Sequence, residues 1–95
     1  MDMSLVIVNW NTRDLLAGCL ESLRVNVSTL ERLNIETFVI DNASTDGSVQ
    51  MVRACFPWVH LFENPENAGF ARANNQGIQA SKGQYILLLN SDTVV

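Results

Sequence analysis

This chain of 95 residues is poor in positive charge: Lys82 is the single lysine, the five arginines are scattered, and the net charge is −4. Without clustered Lys and Arg, nonspecific nucleic-acid binding is excluded as a main activity. No apolar run approaches the roughly 20 residues of a membrane span. The run Leu5–Val8 is too short for a secretory leader, and Asp2 stands where its positive region would be, so no signal peptide is expected. The two cysteines, Cys19 and Cys55, are far apart and form no metal-ligand spacing. Both fall at apolar positions of expected helices and read as buried thiols, which suits the cytoplasm. There is no Gly-rich Walker loop, no Ser-His-Asp spacing, and no Gly-x-Gly-x-x-Gly after the first apolar run, which weakens a nicotinamide-dinucleotide reading. His60, the one histidine, lies inside an expected strand and reads as a packed or edge residue.

What is present is a repeated layout. Tyr85–Leu89 is fully apolar and runs into Asn90-Ser91-Asp92-Thr93. Phe38-Val39-Ile40 runs into Asp41-Asn42-Ala43-Ser44, and Leu5–Val8 runs into Asn9-Trp10-Asn11. Short apolar runs suit strands buried on both faces of a parallel sheet. Ligands of such sheets bind at the carboxyl ends of the strands.

Between the runs lie helical patterns. The pattern predicts strands at 4–9, 36–41, 58–63 and 84–89. A first helix starts at an Asn11 or Thr12 cap and carries Leu15, Leu16, Cys19, Leu20 and Leu23 as its apolar stripe. Residues 25–34 read as a loop with a helical turn in it. A second helix follows the turn Ser44–Gly47, presents Val49, Val52, Cys55 and Phe56, and ends at Pro57. A third runs from Ala68 or Gly69 to Ala80 with Phe70, Ala73, Asn74, Gly77 and Ile78 on one face, and Gly83 is the expected C-cap. The alternation β-α-β-α-β-α-β with right-handed crossovers gives one α/β domain: a Rossmann-like three-layer α/β/α sandwich with a mainly parallel four-stranded sheet.

The strand tips carry the candidate chemistry. Trp10 suits stacking on a nucleobase or burial in a core. Asp41 can accept a hydrogen bond from a base or ribose, or can shape the loop to Ser44. Asp46 reads more as a helix-start residue than as a ligand. Gly69 permits close backbone approach at a helix N-terminus, where anions are favoured. Arg72 sits against the macrodipole in that first turn, which suggests a partner: a diphosphate, or Glu63 or Glu66. Asn74-Asn75 is odd in mid-helix, so one of the two is expected to bond a loop or a ligand. Asp92 can hold Mg²⁺ or Mn²⁺ if a diphosphate supplies the remaining oxygens.

Four segments, Val6–Asn11, Val39–Ser48, Asn67–Gly77 and Leu88–Thr93, together resemble family 2 glycosyltransferases, closest to their bacterial rhamnosyltransferase-like branch. The resemblance covers the whole chain in the family's motif order. It implies the nucleotide-binding half of a GT-A fold, with residues 1–95 as the N-terminal, donor-binding part and the acceptor-binding half absent. It implies inverting transfer from a UDP-, GDP- or dTDP-sugar to a saccharide or lipid-linked acceptor, as in cell-wall or polysaccharide synthesis. Location is expected in the cytoplasm or at the inner membrane face. By position, Asn9, Trp10, Asn11, Asp41, Asn42, Asp46, Gly69, Arg72, Asn90 and Ser91 are implied on the donor side and Asp92 on the metal. The first acidic position of the family's metal element is Asn90 here, and the catalytic base is expected beyond residue 95. The 95 residues alone are expected not to transfer a sugar, and to self-associate through an exposed edge of the fourth strand. Two other readings stay open: a metal-dependent nucleotidyltransferase, and a noncatalytic binding or assembly module.

Overall fold

The computed structural model describes residues 1–27 and 34–91. The elements follow in the order β1 (Met3–Asn9), α1 (Arg13–Val27), β2 (Ile35–Asp41), α2 (Ser48–Cys55), β3 (His60–Glu63), α3 (Phe70–Ala80) and β4 (Tyr85–Asn90). The expected alternation is present, and the sheet is all-parallel in the order β3-β2-β1-β4. The chain steps outward from β1 to β3. It then returns over the sheet through α3 to the far side of β1. That reversal puts a topological switch point between β1 and β4, where ligands of open α/β sheets bind.

Strand periodicity sorts the core into two layers. Leu5 and Ile7 of β1 and Val39 of β2 join Leu16, Cys19, Leu20 and Leu23 of α1, with Val52 and Phe56, on one face. Val6, Phe38 and Ile40 point to the other face and meet Ala73 of α3. The buried positions of α1 recur at i, i+3, i+4 and i+7, the spacing of one helical face. Leu15 falls off that stripe and is exposed. Cys19 is buried as expected, but Cys55 is exposed. The buried positions around it are Ser48, Val52 and Phe56, so the inward face of α2 passes it by.

Other expectations need correcting. Residues up to Val27 continue α1 rather than forming a loop, and 28–33 lie outside the described residues. β3 begins at His60, not Trp58; Trp58 packs edge-on against Phe56 instead. His60 stacks on Phe38 at the sheet edge, 5.0 Å between centroids. In α3 only Ala73, Asn74 and Gly77 are buried, whereas Phe70 and Ile78 are exposed. Neither Asn74 nor Asn75 makes a side-chain hydrogen bond to a described residue; Gln76 does, in a reciprocal pair with Asn64 at 2.8 and 2.9 Å. The C-cap of α3 is Ser81, not Gly83. Gly83 instead lies where a Cβ would come within 2.5 Å of the Ser4 backbone nitrogen. β4 is not buried on both faces. Among the described residues it pairs on one side only, in line with the expected exposed edge, and Tyr85, Ile86, Leu87 and Leu88 are exposed. Among the described residues no helix is long and apolar enough to cross a membrane.

Two contacts at the helix–sheet seam set the position of α3. A Cβ on Gly77 would lie 2.3 Å from Val6 Cγ1, so this helix can approach β1 only with no side chain there. At the opposite end of the sheet from the strand tips, Glu36 accepts hydrogen bonds from Ser4 Oγ (2.5 Å) and from the Lys82 N–H (2.7 Å), and Gly83 N–H donates to Ser4 Oγ (2.8 Å). Burial alone would push the Glu36 carboxyl up, but these hydrogen bonds and the nearby His60 and Lys82 outweigh it and hold it below its ordinary value. This cluster anchors the α3–β4 connection to β1 and β2.

Gly77→Ala should destabilise the fold by about 1–3 kcal/mol through overpacking, and adding Val6→Ala should recover part of the loss; urea unfolding of the single and double variants measures both. Because the folded-state pKa of Glu36 is depressed, its stabilisation is present above its ordinary value of 4.5 and disappears as pH falls through the lower folded value. Glu36→Gln should therefore lower stability at neutral pH and flatten the acid limb of a stability-against-pH curve.

Candidate functional site

The tips of β1, β2 and β4 lie side by side because the sheet is parallel and in register. Asn9 pairs with Asp41, and Val8 pairs with Asn90. A short strand tip next to another leaves unpaired backbone and side-chain polar groups, and here they satisfy one another. Asn9 Nδ2 donates to Asp41 Oδ1 at 2.9 Å and lies 3.3 Å from Ser44 Oγ. Ser44 donates to the same carboxylate twice, from its hydroxyl (2.7 Å) and its backbone N–H (2.9 Å). Asp41 is only 2 % exposed. In this structure it shapes the loop after β2, and its carboxylate lies behind the rim rather than on it.

The same connection extends to β4. Thr12 Oγ1 donates to Asn9 Oδ1 at 2.7 Å and lies 3.0 Å from Ser91 Oγ. Thr12 has one hydroxyl proton, so Ser91 is the donor in the second bond. Asn11, at a left-handed φ of 50°, binds the loop after β2 from both ends: its N–H donates to Ser44 Oγ and its Oδ1 accepts from Thr45 N–H. Asp46 accepts from the Arg13 N–H at the start of α1 and from Ser48 at the start of α2. Burial works against its charge, but the Ser48 hydroxyl and the Arg13 and Ser48 N–H groups outweigh it and hold its carboxyl below the ordinary range. The helix-start reading of Asp46 is the one the structure supports.

Asn42 organises the other wall. It is buried, and its Oδ1 accepts from Asn64 Nδ2 (2.8 Å) and the Ala68 N–H (3.3 Å), while its Nδ2 lies 3.4 Å from Gly69 O. Asn67 Oδ1 accepts from Gly69 N–H at 2.9 Å. These bonds hold the segment before α3, including Gly69 at φ 84°, a backbone conformation that favours glycine.

Between the two walls lies a cavity of about 320 Å³. Val8, Trp10 and Thr12 reach it from β1 and the loop beyond, Asn42 from β2, Asn67 and Phe70 from the start of α3, and Asn90 and Ser91 from β4. Of the candidate residues, the structure therefore gathers Trp10, Asn42, Asn90 and Ser91 around one space. Asn9 and Asp41 support it from beneath. Gly69 adjoins it through Asn42. Asn11 and Asp46 turn away and line a neighbouring hollow with Arg13 and Asp14. Arg72 is exposed on the first turn of α3 and makes no ion pair with any described residue; Glu63 pairs with Arg53 instead. Asp92 lies outside the described residues. Among those described, no group of three His, Cys, Asp or Glu side chains could hold a metal. Sequence reasoning passed over Thr12, Asn67 and Phe70 as pocket residues. The available signal was Phe70 at the first position of a helix whose buried face is formed by later residues.

With this geometry in view, the relatives are informative. Residues 4–95 match the glycosyl transferase family 2 model, and the chain belongs to that family. It is 34% identical to a poly(ribitol-phosphate) beta-glucosyltransferase of Bacillus spizizenii over its whole length, which is 15% of that protein. It is 32% identical to the putative glycosyltransferase EpsH of Bacillus subtilis over 95% of this chain and 26% of that one. The chain thus spans about a quarter or less of these relatives. Its fold is that of the GT-A glycosyltransferases. A crystal structure of S. aureus TarS with UDP-GlcNAc superposes at a TM-score of 0.76 and 22% identity, over 97% of this chain and 27% of that one. A mannosyltransferase from Pyrobaculum calidifontis with GDP-Man and Mn²⁺ superposes at 0.69 and 22%, over 95% and 27%.

Removing the amide that caps Asp41 leaves a buried carboxylate short of a donor. Asn9→Ala should cost about 1–3 kcal/mol. Asn9→Asp should cost more, because it sets two carboxylates against each other; thermal unfolding monitored by circular dichroism distinguishes the two.

Proposed function

We propose that this chain is the donor-binding region of an inverting family 2 glycosyltransferase that takes a nucleoside-diphosphate sugar with a divalent cation. The observation that carries this reading is the convergence of the β1, β2 and β4 tips and the start of α3 on one cavity at the switch point of the sheet. Trp10 borders the base. Asp41 bonds the base or ribose; since Asn9 and Ser44 occupy its oxygens here, such a bond requires the Ser44 hydroxyl to give way. Asn9, Asn11 and Asp46 act by holding the strand-tip loops. Arg72, with no carboxylate partner among the described residues, pairs with the diphosphate.

The residues fit a single-carboxylate cation site. The described rim supplies neutral oxygens from Asn90 and Ser91, and Asp92 follows directly in sequence. Mg²⁺ and Mn²⁺ accept one protein carboxylate when substrate phosphates and water complete their shell. A cation there would supply Lewis-acid stabilisation of the leaving diphosphate. Inversion also needs a base that deprotonates the acceptor hydroxyl on the opposite face of the sugar. We place that base outside these 95 residues, within the acceptor-binding part of a longer polypeptide. The acceptor is a saccharide or lipid-linked acceptor, in keeping with relatives named as a poly(ribitol-phosphate) beta-glucosyltransferase and a succinoglycan biosynthesis protein. Cys19 and Cys55 are not joined in a disulfide, which suits a reducing compartment such as the cytoplasm. The exposed, one-sided β4 favours self-association through its edge, which light scattering at rising concentration tests.

Titration with UDP, GDP and dTDP should show binding that strengthens with Mn²⁺, and Asp92→Ala should remove the metal dependence while leaving the fold intact. No sugar should be transferred by the 95 residues alone. Binding that ignores both the metal and Asp92 would reject the cation site; turnover would reject the placement of the base.

A further inference from the structure

We propose that Phe70 is a second stacking platform, which with Trp10 forms an aromatic slot for the flat nucleobase of the donor. This deepens the donor-binding reading above and rests on it. Phe70 and Trp10 are 60% and 55% exposed, and both line the same cavity. Neither ring touches another aromatic ring, so the faces are not spent on each other. Single exposed apolar side chains are ordinary; two large aromatics converging on one cavity are not.

Among the described residues Phe70 also belongs to neither buried core cluster. The buried face of α3 is Ala73, Asn74 and Gly77, with Gly77 against Val6, and Phe70 lies off it. Its backbone is nevertheless held in place. The buried Asn42 side chain bonds Ala68 and Gly69, and Asn67 bonds Gly69, which fixes the chain just before the ring. A ring positioned by the fold but left largely exposed by the described residues loses little further freedom on stacking, which favours binding. Space is open around Gly69, where a Cβ would meet nothing within 4 Å.

The chemistry of the cavity indicates which part of the donor enters. Its described lining carries no charged side chain; the polar groups are amides and hydroxyls, such as Asn67, Asn90 and Thr12. An uncharged lining suits a neutral, planar group that offers a π-face and hydrogen-bonding edges. By itself it does not suit a diphosphate, whose charge needs the cation proposed at the Asn90 and Ser91 end. The base therefore occupies the slot, and the phosphates lie beyond it.

The test is calorimetric titration of wild type, Phe70→Ala, Phe70→Leu and Phe70→Trp with the tightest of UDP, GDP and dTDP, with inorganic diphosphate, and with the matching nucleotide-sugar. Base–aromatic stacking worth about 1–3 kcal/mol corresponds to a roughly 5- to 150-fold affinity loss. Phe70→Ala should lose affinity for the nucleotide in that range, with and without Mn²⁺, and keep its affinity for diphosphate. Phe70→Leu should lose nearly as much, and Phe70→Trp should bind like wild type. Unchanged nucleotide binding by Phe70→Ala, full activity of Phe70→Leu in binding, or a loss confined to the nucleotide-sugar would overturn the proposal. Absence of nucleotide binding by wild type would instead overturn the donor-binding reading on which it rests.

Discussion

The hydrogen bond between Asn9 and Asp41 is the constraint on which the rim depends. Both side chains stand at the end of a strand, directly paired across the β1–β2 ladder and shielded from water. A buried carboxylate without donors is costly, and an amide without acceptors is costly too. Each satisfies the other. Their remaining valences then dictate the loops: Ser44 must return to Asp41, and Thr12 must reach Asn9. The register of two strands is thereby converted into the shape of two loops.

From that pair the bonding spreads in opposite directions. Through Thr12 it reaches Ser91, so the end of β4, which precedes Asp92, is tied to β1. Next to Asp41, Asn42 reaches Asn64, Ala68 and Gly69, so the start of α3 is tied to β2. The cavity lies between these two arms. Its walls come from four separate segments, yet each wall traces back to neighbouring residues at the strand tips. Networks of this kind are rigid when fully satisfied, and no buried side-chain polar atom among the described residues lacks a partner. Rigidity at the rim suits the donor-binding role proposed for it.

Much of the architecture was legible because apolar runs of period two and stripes of period 3.6 are local signals. The four strands, three helices and their order followed from them, and the strand tips that they marked lie together at one end of the sheet. The errors share one cause, that burial is decided by neighbours distant in sequence. Tyr85–Leu89 looks like a strand covered on both faces, but its place at the sheet edge leaves most of it exposed. Cys55 and Phe70 belong to helical patterns, but the helices turn them away from the core. Asn74 and Asn75 looked the stranger pair, while the hydrogen bond from α3 to the loop before it belongs to Gln76, which faces Asn64.

For the site, residue identity carried the chemistry: an aromatic, carboxylates and amides at strand ends, and membership of the glycosyl transferase family 2. The sequence by itself therefore determined the fold class, the family and the set of polar tips, since these are written in local pattern and composition. Tertiary structure alone decided which members of that set face the cavity and which support it. Trp10, Asn42, Asn90 and Ser91 meet there, while Asn9, Asn11 and Asp46 hold the loops and Asp41 lies beneath the cavity with Asn9 and Ser44 on its carboxylate. The physical reason is that a side chain's hydrogen-bonding capacity is finite, and its partners are chosen by proximity in space, which strand register and helix packing fix and sequence distance does not.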